Sequence, residues 1–73
     1  MRLAHLYILA KAVRKDADAY RSGMQITYTL NSVEHSELQK EAYTMINGNL
    51  TNYKEQSVFE LSLLDIKFVI QRG

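Results

Sequence analysis

The chain has no cysteine, no proline, no tryptophan and only three glycines. Without cysteine there can be no disulfide and no thiolate metal site. The same absence fits a reducing compartment. Few glycines and no proline leave few hinges. No apolar run is long enough to cross a bilayer. The longest, Leu3 to Val13, is about half the length a spanning helix requires, and it carries His5 and Lys11. It also lacks a small-residue cleavage site, so neither a membrane anchor nor a signal peptide is expected. Asn49-Leu50-Thr51 matches a glycosylation sequon, a chance match in a chain without a secretory signal. A cytoplasmic location is the expectation.

Charge of one sign is also missing. Nine Lys and Arg stand against eight Asp and Glu, for a formal net charge of +1. That balance by itself implies neither a nucleic-acid nor a membrane partner. The distribution is less even. Arg2, Lys11, Arg14, Lys15 and Arg21 make the first third basic, and Glu34, Glu37 and Glu41 make the middle acidic. Two such segments more often complement each other or sit solvated than mark a partner.

What is present is apolar content, 47% of 73 residues, ample for one folded domain spanning residues 1–73. A domain of this size buries only about 60% of the surface its unfolded chain exposes. With disulfides excluded, oligomerisation is the remaining staple, and a homodimer is expected.

Leu3, Leu6, Ala10, Val13, Ala17 and Tyr20 recur at helical spacing, which predicts a first amphipathic helix ending near Arg21 and capped by Gly23. Gln25 to Leu30 alternates polar and apolar, with β-branched and aromatic residues. It predicts a strand with Ile26, Tyr28 and Leu30 inward. Asn31 or Ser32 is expected to cap a second helix, and Asn31 with Glu34 resembles a capping box. Leu38, Ala42, Met45 and Ile46 supply its buried stripe, and Asn47-Gly48-Asn49 its stop. The last third reads two ways. Phe59, Leu61 and Leu63 alternate with polar residues; then the phase shifts by one to Leu64, Ile66, Phe68 and Ile70. A bulged long strand accounts for that shift. A helix has support from Ser57-x-x-Glu60, a capping-box match. The β-branched and aromatic content of 66–70 favours the strand. The expected fold is therefore α+β in the order helix, strand, helix, bent strand.

Few residues carry chemistry. His5 and His35 form no spaced ligand pair, and a structural or surface role accounts for both. Asp16-x-Asp18 lacks the glycine and distant glutamate of a calcium loop. Ser22, Ser32, Ser36, Ser57 and Ser62 sit in no nucleophile motif. Gly23 and Gly48 are isolated, so no phosphate-cradling loop is present. Neither an enzyme nor a cofactor is expected.

Five tyrosines are the distinctive feature. Tyr20, Tyr28 and Tyr43 are expected to fill the core. Tyr7 and Tyr53 fall outside the stripes, where an exposed aromatic suits an interface. With the basic residues Lys11, Arg14 and Lys15 they are the candidate partner-binding residues. The first functional reading is a non-enzymatic protein-interaction module, a small regulator or inhibitor of the kind carried by phages and mobile elements.

A second reading rests on resemblance. Gln25 to Leu30, a helix from Val33 to Asn47, Gly48, and a Thr51-initiated segment together resemble a ribbon-helix-helix DNA-binding domain. Such a domain would dimerise through the strand and read bases with Gln25, Thr27 and Thr29. The strand has no Arg or Lys, the strongest base-reading side chains, so DNA ranks behind protein as the partner.

Overall fold

A computed structural model describes all 73 residues, as two helices and a three-stranded sheet in the order α1 (Leu3–Lys15), β1 (Gln25–Leu30), α2 (Ser32–Asn47), β2 (Val58–Leu63) and β3 (Ile66–Arg72). This is a small α+β domain. The strands lie in the order β1-β3-β2, with β1 parallel and β2 antiparallel to the central β3.

The last third is neither a bulged strand nor a helix. It is a hairpin closed by Leu64 and Asp65, both left-handed at φ 50° and 65°, the backbone of a two-residue type I′ turn. Leu63 pairs directly with Ile66 across the turn. Paired residues share a face, yet these two are three apart in sequence, so the apolar phase must invert there. The phase shift therefore marks a chain reversal, and Leu64 belongs to the turn.

Helix α1 stops earlier than its apolar seam. Asp16 leaves helical geometry, and its carboxylate accepts from the Asp18 N–H at 3.0 Å. A side chain that bonds the backbone ahead of it competes with helix continuation. Two aspartates also oppose the negative end of the helix dipole. Gly23 is left-handed as expected (φ 74°), but it serves a turn before β1 rather than the helix end. At the other end of α1, the Arg2 N–H donates to Nδ1 of His5 at 3.2 Å, giving that histidine a capping role.

Helix α2 begins and ends where its signals place it. Asn31 Oδ1 accepts from the Glu34 N–H at 2.8 Å, and left-handed Gly48 donates its N–H to Thr44 O at 2.8 Å. Its stripe is shorter than expected. Leu38 and Ala42 are buried, but Met45 and Ile46 are 55% and 65% exposed. The helix runs a turn past Ala42, its last buried residue.

Both helices cover one face of the sheet. Ile66, Phe68 and Ile70 of the central strand are fully buried against Leu6, Ala10, Leu30, Leu38 and Leu61. Burial falls off toward both edges: Ile26 and Tyr28 on β1, and Phe59 and Leu63 on β2, face the same core but stay half-exposed. The opposite face carries Gln25, Thr27 and Thr29 beside Lys67, Val69 and Gln71, with Ser62, Glu60 and Val58 beyond. A mixed sheet tolerates such a wet polar face. The ribbon-helix-helix arrangement is absent. Residues 51–72, where that resemblance puts a second helix, form a connection and the hairpin.

Candidate functional site

The basic candidates lie along α1. Tyr7 is exposed, with the Lys11 ammonium 5.8 Å from its ring centre. Lys11, Arg14 and Lys15 border a shallow depression with Leu64 of the hairpin turn. Arg14 is not free. Its guanidinium stacks 4.5 Å from the Tyr20 ring and donates to the Leu64 carbonyl at 2.6 Å. The Tyr20 hydroxyl donates in turn to Asp65 Oδ2 at 2.5 Å. That hydrogen bond, with help from the Gly23 backbone N–H, the Ser22 hydroxyl and the Arg14 charge, holds the Asp65 carboxyl below its ordinary range. The same bond, and then desolvation, pushes the Tyr20 phenol up. Arg14, Tyr20 and Asp65 thus clamp the hairpin turn to the end of α1, a structural assignment for a residue expected to bind a partner.

Tyr53 sits elsewhere. After Gly48 frees the chain from α2, the connection folds back so that the Tyr53 hydroxyl donates to Gln39 Oε1 at 3.0 Å. The Gln56 N–H donates to the same oxygen at 3.3 Å. Gln39 is almost fully buried, and a buried amide oxygen requires such donors. One side chain on α2 therefore ties down the second half of the connection. Tyr53 also meets Tyr43 edge-on, ring centres 5.3 Å apart, a favoured aromatic geometry. Desolvation, with the nearby Glu55 charge second, pushes the Tyr53 phenol up.

This arrangement opens a cleft between α2, the connection and the start of β2. Tyr43, Ile46, Tyr53 and Phe59 supply its apolar walls, and Asn47, Asn52, Gln56, Lys54 and Glu60 line it with polar groups. Tyr43, Tyr53 and Phe59 are half-buried, and Ile46 is exposed. Of the sequence candidates, only Tyr53 belongs here. The sequence pattern points Tyr43 to the core and Ile46 to the buried stripe; both instead face this cleft. Tyr20 and Tyr28 do rest against the core. Phe59 is found only through the fold. The signal available in the sequence was the firm stop at Asn47-Gly48-Asn49 followed by a lone Leu50 and Tyr53, which requires something to hold the connection.

Gln25, Thr27 and Thr29 are exposed on the wet face of the sheet, next to Lys67, Val69 and Gln71. Lys67 is partnered 3.5 Å away by Glu60. His35 is fully buried, edge-on to Phe59 at 5.1 Å between ring centres, with Glu55 Oε1 3.9 Å from Nδ1. No group of three or more His, Asp or Glu side chains converges in metal-binding geometry. No helix is long and apolar enough to cross a membrane. Comparison with protein-family models, curated proteins and solved structures finds no match to this chain.

Proposed function

We propose that this chain is a non-enzymatic protein-interaction module, a small regulator or inhibitor that grips one segment of a partner protein in the cleft beside α2. One observation carries the reading: Tyr43, Ile46, Tyr53 and Phe59 converge on a single open cleft, and none of them is buried. Isolated exposed apolar residues are ordinary, but several meeting in one concavity with polar groups at its rim give a partner side chain a place to anchor. The cleft chemistry suits one kind of occupant. Its apolar walls fit one aliphatic or aromatic anchor, and the amides of Asn47, Asn52 and Gln56 can bond the backbone on either side of that anchor. Aromatic-walled pockets with a polar rim are where binding energy concentrates in protein interfaces.

The experiment is selection of displayed peptides against the immobilised protein, followed by calorimetry on the enriched peptides. Enriched sequences should share one apolar anchor and bind Ile46→Glu at least about tenfold more weakly, the equivalent of ~1.4 kcal/mol. Binders unaffected by Ile46→Glu and by Tyr43→Ala would overturn the site. Nanomolar, sequence-selective DNA binding in physiological salt, lost on Thr27→Ala, would overturn the protein-partner reading itself.

A further inference from the structure

The hydrogen-bond pattern of β1 determines which of its backbone groups remain free. Lys67 N–H donates to Met24 O at 3.0 Å, and Gly73 N–H donates to Leu30 O at 2.9 Å. In a parallel ladder, alternate residues of a strand direct both backbone groups to the same neighbour. The even-numbered residues from Met24 to Leu30 therefore bond β3. Gln25, Thr27 and Thr29 turn their N–H and C=O groups off the sheet, along an edge that no other strand occupies.

That edge has none of the usual protections. Edge strands avoid unwanted pairing by carrying charge, proline or a bulge. Gln25-Ile26-Thr27-Tyr28-Thr29-Leu30 has no charged residue and no proline, and its register with β3 runs unbroken over all six residues. On the core side, Ile26 and Tyr28 stay half-exposed while their neighbours on β3, Phe68 and Ile70, are fully buried. The core is thus incomplete at this edge.

We infer that β1 pairs antiparallel with β1 of a second copy of this chain, making one continuous six-stranded sheet. The register follows from the free groups. Placing Thr27 opposite the partner's Thr27 sets Gln25 opposite the partner's Thr29, and Thr29 opposite the partner's Gln25. All three free residues are then used, for roughly six backbone hydrogen bonds at two per bonded pair. On the core side, Ile26 lies opposite the partner's Tyr28, the β-branched and aromatic pairing that stabilises antiparallel sheets. No like charges meet.

The other edge is poorly suited to the same role. Arg72 N–H donates to Ser57 O, and the antiparallel alternation then leaves Val58, Glu60 and Ser62 free on β2. Full use of those groups by a second copy would set Glu60 directly against the partner's Glu60, which is destabilising. The β1 pairing also leaves the cleft open, because Phe59 and Glu60 belong to the opposite edge of the sheet. The inference therefore does not depend on the proposed function.

The test combines sedimentation equilibrium with amide hydrogen exchange read by nuclear magnetic resonance. The wild-type chain should dimerise, and the Gln25, Thr27 and Thr29 amides should gain protection as concentration rises. Thr27→Lys places like charges opposite each other at an exposed site and should raise the dimer dissociation constant at least about fivefold. Thr27→Pro removes only an outward-facing N–H, as edge strands tolerate, and should weaken the dimer further. Thr27→Lys mixed with Thr27→Glu should restore association as a heterodimer. Circular dichroism melts of the separate variants confirm that each is folded. A wild-type monomer at hundreds of micromolar would overturn the inference. So would a dimer unaffected by folded Thr27→Lys, or one in which those three amides exchange freely at every concentration.

Discussion

Replacing His35 with leucine should stabilise this protein, contrary to the usual outcome of changing a fully buried residue. The His35 ring is 0% exposed, and neither ring nitrogen has a hydrogen-bond partner on the protein. Glu55 Oε1, 3.9 Å from Nδ1, lies beyond hydrogen-bond reach and is itself engaged by Arg72 at 3.0 Å. A buried polar group left unpaired costs about 1–3 kcal/mol. Leucine fills a similar volume, carries no polar atom, and has the higher helix propensity by a few tenths of a kcal/mol. Against this stands the edge-on contact with Phe59, worth about 0.5–1.5 kcal/mol in aromatic pairs. The balance favours His35→Leu by about 1 kcal/mol. For a domain of this size that is a rise in Tm of about 4–8 °C. His35→Ala removes the same nitrogens but leaves a cavity, and it should lower Tm. Thermal melts followed by far-ultraviolet circular dichroism on the three proteins make the comparison. A fall in Tm for His35→Leu would refute the reasoning, since the imidazole nitrogens would then have stabilising partners that leucine cannot replace.

Leu38→Ala should cost about 2–5 kcal/mol, a large part of the total of roughly 4–11 kcal/mol expected for a chain of this length. Met45→Ala should stay within about half a kcal/mol, and urea melts of the pair test where the α2 stripe ends. Gly48→Ala meets open space but forces a side chain onto φ 79°, so a loss of about 1 kcal/mol in the same melts is expected. The Tyr20–Asp65 bond makes stability depend on pH at both ends of the scale. Asp65 is held below its ordinary value of 3.8, chiefly by Tyr20, so its contribution is complete above that value and is lost as pH falls through the folded pKa. Tyr20 is raised above its ordinary 10.0, so its contribution is complete below that value and is lost as pH rises through the folded pKa. Tyr20→Phe should move the Asp65 carboxyl back up toward 3.8, read by carbon-13 titration; an unchanged Asp65 would show that the clamp does not form in solution.

Two helices, a strand with Ile26, Tyr28 and Leu30 inward, and the caps at Asn31 and Gly48 were legible in the sequence. Each depends on residues within a few positions of one another, where side-chain period and backbone preference act directly. The inversion of apolar phase at Leu63–Ile66 was legible too, but ambiguous. A bulge and a two-residue reversal both shift a period-2 pattern, and only the pairing of β2 with β3 tells them apart. The seam of α1 overran its helix because Tyr20 reaches the core from a turn, and apolar spacing does not record the backbone between the residues it counts. Met45 and Ile46 continue the α2 stripe in phase. Whether anything lies beneath them depends on how far the sheet extends, which no local pattern encodes. The cleft joins Tyr43 and Ile46 of α2 to Tyr53 of the connection and Phe59 of β2, and the free edge of β1 exists because β3, last in sequence, inserts between β1 and β2. Both are consequences of strand order. Pairing between distant segments is settled by burial, and the central strand is the one whose Ile66, Phe68 and Ile70 are all fully covered. Period and propensity determined the elements of this protein, and tertiary packing decided which of their surfaces were left uncovered.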